Sequence, residues 1–209
     1  TAANKTYDGT TAATVSTTAA TYTGLVSGDA VTVSATGTFA NKNVATGKTV
    51  TLSSSYSGAD AGNYSITDQS STTANITAKA LTIGGITAAN KTYDATTAAT
   101  VSTTGATYTG LISGDAVSVS ATGTFNNKNV GTGKTVTLSS SYAGADAGNY
   151  SITDQATTTA SVTAKALTIG GITAANKSYD GTTAATVSTT GATYTGLVSG
   201  DALTVSATG

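Results

Sequence analysis

The chain is expected to be all-β, a series of tandem immunoglobulin-like antiparallel β-sandwich domains with one domain per 86-residue repeat. Three observations carry that expectation. Tyr7, Tyr93 and Tyr179 recur every 86 residues, and residues 1–86 differ from 87–172 at only 11 positions. Such a period exceeds the roughly 20–50 residues of common solenoid repeats and suits one small domain per copy. Apolar and polar residues alternate in short runs rich in β-branched side chains, and no helical stripe competes with them. Clusters of Gly, Asp and Asn, with no Pro anywhere, separate the runs.

Taken in order through the first copy, "AATVS" and "ATYTGL" are short strands around Val15 and Tyr22. "DAVTVSATGTF" sets Val31, Val33, Ala35, Gly37 and Phe39 on one face, with Thr and Ser on the other. "KTVTLSSSY" does the same with Val50, Leu52, Ser54 and Tyr56. "NYSIT" offers Tyr64 and Ile66, and "ANITA" offers Ala74, Ile76 and Ala78. Turns are expected at 27–30, 41–43, 45–48 and 58–63.

The stretch "ITAKALTIGGI" changes phase: Ile76 and Ala78 share one face of an extended chain, Leu81 and Ile83 the other. The economical reading is a strand that leaves one core at Ala78 and enters the next at Leu81, with Lys79 at the crossing. Ala164, Lys165, Leu167 and Ile169 repeat this inter-repeat strand. The boundaries then fall at 1–78, a sandwich lacking its first strand; 79–164, a complete one; and 165–209, the N-terminal half of a third. With so short a link, the array is expected to be stiff.

Composition excludes several functions. There is no His, Cys, Glu or Arg; nine Lys and ten Asp carry all side-chain charge, and charged residues make up 9%. Ordinary domains hold about 25%. A net charge of −1 gives no footprint for nucleic acid or an anionic membrane. No apolar run nears the ~18 residues of a membrane span. Without His, Cys or Glu, neither a catalytic triad nor a usual acid–base pair can be assembled, so no enzyme and no cofactor are expected. Absence of sulfur and sparse basic residues suit an extracellular setting. The chain has no initiator Met and is read as an interior segment of something longer.

The stretch "NKTYDGTTAATVS" is the first candidate site. Its Asp stands where it can accept backbone N–H bonds, so Tyr7–Asp8, Tyr93–Asp94 and Tyr179–Asp180 are expected to be structural turns. Calcium is a weaker reading for Asp60 with Asn63, and for Asp146 with Asn149; calcium wants six to eight oxygens, and no EF-hand-like run is present. Lys5, Lys42, Lys48 and Lys79 recur near Asn, which admits a Lys–Asn isopeptide crosslink where a buried Lys faces an Asn beside an acid. Asn4, Asn63, Asn75, Asn90, Asn149 and Asn176 begin Asn-x-Ser/Thr triplets. Tyr22, Tyr56 and Tyr64 are strand tyrosines for which core packing outweighs sugar stacking.

The succession "ITAANKTYDGTT", "LVSGDAV", "GTFANKNVATGKTVT", "GADAGNYSIT" and "ANITAKALTI" resembles the YDG repeat of large bacterial surface proteins akin to filamentous haemagglutinin-like adhesins. The likeness covers the whole chain. It implies tandem immunoglobulin-like domains in a secreted protein of the bacterial cell surface or extracellular matrix, acting as stalk or fibre. The motif stands at Tyr7-Asp8-Gly9 and Tyr179-Asp180-Gly181 and departs at Tyr93-Asp94-Ala95. That Ala is read as meaning the position does not demand positive φ.

The expected function is a stiff spacer in an adhesin. The second expectation is a subunit of a self-assembling filament or biofilm matrix fibre joined by β-strand donation. Partners would be further copies of the repeat, in cis or in trans, with any host or matrix glycan or protein met by regions outside this segment.

Overall fold

The computed structural model describes residues 1–209. It contains no α-helix. Its strands are β1 (Lys5–Thr6), β2 (Ala12–Ala13), β3 (Thr32–Phe39), β4 (Ala45–Ser57), β5 (Ser71–Thr77), β6 (Lys79–Gly84), β7 (Thr87–Ala88), β8 (Lys91–Thr92), β9 (Ala98–Ala99) and β10 (Val101–Ser102). They continue with β11 (Thr107–Thr109), β12 (Ser118–Phe125), β13 (Gly131–Ala143), β14 (Tyr150–Thr153), β15 (Thr157–Thr163), β16 (Thr168–Gly170), β17 (Thr173–Ala174), β18 (Val187–Ser188) and β19 (Thr193–Thr195). Single 3-10 turns stand at Ala61–Asn63 and Ala147–Asn149.

The first sheet runs β1-β5-β4-β3-β2 and its counterpart in the second copy runs β8-β15-β13-β12-β9. In each, the outermost strands β1 and β2, or β8 and β9, are consecutive in sequence. The sheet therefore curls until its two edges face one another across the Tyr-Asp corner, giving a nearly closed, five-stranded, barrel-like sheet. This replaces the expected immunoglobulin-like sandwich. The reason lies in pairing direction: β1 runs parallel to β5, β8 to β15 and β14 to β6, which an antiparallel sandwich does not contain.

Period-two alternation places the core. Along β3 the face of Val33, Ala35, Gly37 and Phe39 points inward, and along β4 so does that of Val50, Leu52, Ser54 and Tyr56. Tyr7, Phe39, Val50, Ala74 and Ile76 are buried. Gly37 sits where a Cβ would stand 2.6 Å from Val15 and 2.8 Å from Val50, so this inward position admits no side chain. The expected turn at 45–48 is instead the start of β4. A register shift between Ala45 and Lys48 marks a bulge there, and Gly47 supplies its positive φ of 62°.

β5 and β6 are separated by Ala78 alone and pair in different sheets. β6 lies antiparallel to β11 and parallel to β14, with Ile83 opposite Tyr108 and Leu81 opposite Ile152. Leu81, Ile83 and Ile86 are buried, whereas Leu167 and Ile169 of the later copy are 37% and 39% exposed. There β16 pairs with β19 on one edge.

The chain divides into two compact units. One comprises Thr1–Gly85, Ala106–Ser120 and Ser140–Gln155; the other comprises Ile86–Gly105, Ala121–Ser139 and Ala156–Gly209. The first unit thus holds residues 1–78 together with β6, β11, β14 and the loops 110–117 and 144–149 of the second copy.

Candidate functional site: the Tyr-Asp corner and its joint

The corner is built from its own sequence. Asp8 Oδ1 accepts the backbone N–H and the hydroxyl of Thr10, each at 2.9 Å, which is an Asx-type turn. Lys5 Nζ donates to the same Asp8 oxygen at 2.7 Å and to the carbonyls of Thr10 and Ala12 at 2.9 and 3.0 Å. Lys5 lies on β1 and Ala12 on β2, so one ammonium closes the seam between the facing edges of the curled sheet. It also lies 5.5 Å from the centroid of the buried Phe39 ring. Lys91 repeats the arrangement with Asp94, Thr96, Ala98 and Phe125, and Lys177 with Asp180, Thr182 and Ala184. Lys91, followed by the Thr96 N–H, holds the Asp94 carboxyl down at about 2.

Gly9, Ala95 and Gly181 share a left-handed conformation, with φ of 77°, 63° and 76°. The inference that an Ala here frees the position from positive φ is overturned: Ala95 adopts the conformation and bears its cost. At Gly9 a Cβ would stand 3.3 Å from Ile112 Cγ2.

Tyr7 does something the sequence did not disclose. Its ring is 1% exposed, and its hydroxyl donates to Asp115 Oδ2 at 2.7 Å, from one sequence copy to the next. Tyr150 donates to the same oxygen at 2.6 Å, and the two rings meet edge to face with centroids 5.5 Å apart. Lys42 Nζ completes the group, 2.9 Å from Asp115 Oδ1 and 2.8 Å from Asp146 Oδ1, and 5.8 Å from the Tyr7 ring centroid. Beside it, Asn149 accepts the Val44 N–H at 3.0 Å. All these residues belong to the first compact unit. Tyr93 makes the equivalent bond to Asp201 at 2.9 Å within the second, where Lys128 stands 3.7 Å from Asp201. Tyr179 is 98% exposed.

The electrostatics follow from this geometry. Burial opposes ionisation of Asp115, but hydrogen bonds from Tyr150, Lys42 and Tyr7 outweigh it and hold its carboxyl below the usual range. The Lys42 ammonium, reinforced by the backbone N–H of Ala116, lowers Asp146. Lys42 itself is raised well above the ordinary lysine value by Asp146 and then Asp115. Burial and the Asp115 carboxylate push the Tyr150 hydroxyl up to about 12 and raise Tyr7 as well. Two carboxylates, one ammonium and two neutral phenols thus form a saturated polar knot, suited to holding segments together.

The calcium candidates are placed otherwise. Asp60 Oδ2 accepts the Ala30 N–H at 2.9 Å, and Asp146 faces Lys42 and Ala116. Asn63 ends the 3-10 turn that Asp60 precedes, and Asn149 is buried against Val44 and Asn43. No group of three or more acidic, His or Cys side chains is arranged to hold a metal ion. Lys48 is buried and donates to Asn41 at 2.6 Å, the one buried Lys–Asn juxtaposition of the crosslink reading. Of the inter-repeat residues, Lys79, Leu81 and Ile83 lie on β6, and Ala78 lies outside any strand. Ile169 lies on β16; Ala164, Lys165 and Leu167 precede it.

A repeated β-domain whose named corner is both a seam closure and a contact point defines a tandem-repeat β-protein. The YDG domain family matches residues 1–74, 77–160 and 163–209, and the chain belongs to that family. Neither the curated proteins nor the solved structures contain a match to it.

Proposed function

We propose that this chain is a structural repeat segment of a secreted bacterial surface adhesin, forming a stiff stalk or fibre outside the cell. The observation that carries the reading is the joint: Tyr7 and Lys42 of one copy engage Asp115 and Asp146 of the next. Membership of the YDG family supports it. So does the passage from β5 to β6 across a single residue, which leaves little freedom between the cores the two strands enter. The domain limits that suit this role are 1–78, 79–164 and 165–209. The function is mechanical and asks for no catalytic group or cofactor. Electron microscopy of native cell-surface material tests it: unbranched fibres with an axial period of one repeat are expected, and their absence from cells displaying the protein would contradict it.

A further inference from the structure

Each curled sheet begins and ends on neighbouring strands. β8 is the first strand of its sheet along the chain and β15 the last, and the two pair in parallel, Lys91 with Val162 and Thr92 with Thr163. β1 and β5 repeat the arrangement, Lys5 with Ile76 and Thr6 with Thr77. The chain enters the second copy's sheet at the N-terminal end of β8 and leaves it at the C-terminal end of β15. Because these strands are parallel, entry and exit lie at opposite ends of one ladder. Tension along the chain therefore slides β8 against β15 and loads every bond between them together. Had the pair been antiparallel, entry and exit would share one end, and the bonds would open one at a time.

We infer that this parallel pair is the load-bearing clamp of each copy; the inference rests on the stalk reading and names the element that gives a stalk its resistance to tension. The bonds across the pair reach beyond the two paired residues. The Tyr93 N–H donates to the Thr163 carbonyl at 2.8 Å, Asn90 Oδ1 accepts the Ser161 N–H at 2.7 Å, and the Thr163 hydroxyl donates to the Lys91 carbonyl at 3.3 Å. In the first copy the same bonds join Tyr7 to Thr77, Asn75 to Asn4 and Thr77 to Lys5, at 2.8, 2.7 and 3.3 Å. The Asn side chain thus extends the ladder before the strand, and the Tyr N–H extends it after.

The Tyr-Asp corner braces the same strand from its other edge. Lys91 Nζ donates to the carbonyls of Thr96 and Ala98, each at 3.0 Å, and stands 2.7 Å from Asp94, so β8 is fastened toward β9 as well as to β15. In the first copy Tyr7 directly follows β1, and its side chain, at 1% exposure, must leave the core before β1 can slide. Clamp bonds and core contact then break in one event. Forced unfolding is governed by the unfolding barrier, and a barrier crossed only by breaking many contacts at once is high. The "NK-x-YD" run acquires a division of labour: Asn lengthens the ladder, Lys braces its outer edge, Tyr plugs the core and Asp sets the turn.

Single-molecule force spectroscopy of the full chain tests this by pulling one copy in two directions. The chain has no native Cys, so handles are attached at cysteines placed at exposed positions. Ala89→Cys with Ala164→Cys pulls the N-terminal end of β8 against the C-terminal end of β15, as the chain itself does. Thr92→Cys with Ala164→Cys pulls both strands from the same end. The expected result is a rupture force roughly twofold or more higher for the first pair than for the second at one loading rate, and a fall in that first force when Asn90→Ala is added. Equal forces, or a higher force for the second pair, overturn the inference, and so does an Asn90→Ala chain whose first force is unchanged. Circular dichroism checks that each chain folds, and Ala78→Cys with Ala3→Cys or with Thr6→Cys repeats the comparison in the first copy. Failure of the clamp leaves the stalk reading to the microscopy of native fibres, whereas absence of fibres leaves the clamp as a measured property of the fold.

Discussion

Tyr7 and Tyr179 share one motif but not one environment, and the contrast isolates what the tyrosine does. Tyr7→Phe keeps the ring against Tyr150 and removes only the hydroxyl that donates to Asp115. Hydrogen bonds to charged groups contribute about 1.5–3 kcal/mol, so denaturant unfolding is expected to show a loss near the lower end, since Tyr150 and Lys42 still serve Asp115. Tyr179→Phe is expected to change stability by less than about 0.5 kcal/mol. At the neighbouring position, Gly9→Ala should cost about 1–2 kcal/mol from its left-handed backbone, with the Ile112 contact adding to it, whereas Ala95→Gly should be neutral to slightly stabilising. The Asp of the motif was legible, because an Asp two residues before a Thr N–H is a local turn device. The role of the Tyr was not: its partner lies 108 residues away, and nothing in the local spacing encodes that. Lys5 has a local signal of its own, the fixed "K-x-x-D-x-T" spacing that puts an ammonium over Asp8 and Thr10.

Strands were legible wherever alternation ran long. β3, β4 and β5 point the expected side chains inward because period two is a property of the extended chain itself. Pairing direction leaves no such trace, so the parallel β1–β5 and β6–β14 pairs went unread and the sandwich gave way to a curled sheet. "NYSIT" shows the limit most clearly: one sequence is strand beside β6 and not strand in the first copy, so its structure is decided by a neighbour. The phase change at Ala78 recorded a change of sheet because it alters which face must be apolar. The β6 strand makes a prediction of its own. Leu81→Ala removes a side chain of 0% exposure and should cost about 2–5 kcal/mol by thermal or denaturant unfolding, whereas Leu167→Ala, at 37% exposure, should cost about 1 kcal/mol or less.

For the molecule as a whole, the joint makes stability depend on pH at both ends. Asp115 and Asp146 have folded pKa values below their unfolded ones, so their contribution is present above about pH 4 and lost as pH falls through the lower folded values. Lys42, Tyr7 and Tyr150 are raised, so theirs is present below about pH 10 and lost as pH climbs through the higher folded values. With no His in the chain, midpoints measured between about pH 5 and 9 are expected to be flat. Asp115→Asn should flatten the acid limb; a steep dependence near neutrality would contradict this account.

The central claim is that the Tyr-Asp-Lys joint holds one copy rigidly against segments 106–120 and 140–155 of the next, and pulsed electron spin resonance measures that directly. The chain has no native Cys, so Thr51→Cys and Ser151→Cys place two labels at exposed strand positions within the first compact unit, one in each copy. The account predicts a single narrow distance distribution that broadens when Asp115→Asn is added. A distribution already broad in the labelled chain, or one that Asp115→Asn leaves unchanged, would contradict it.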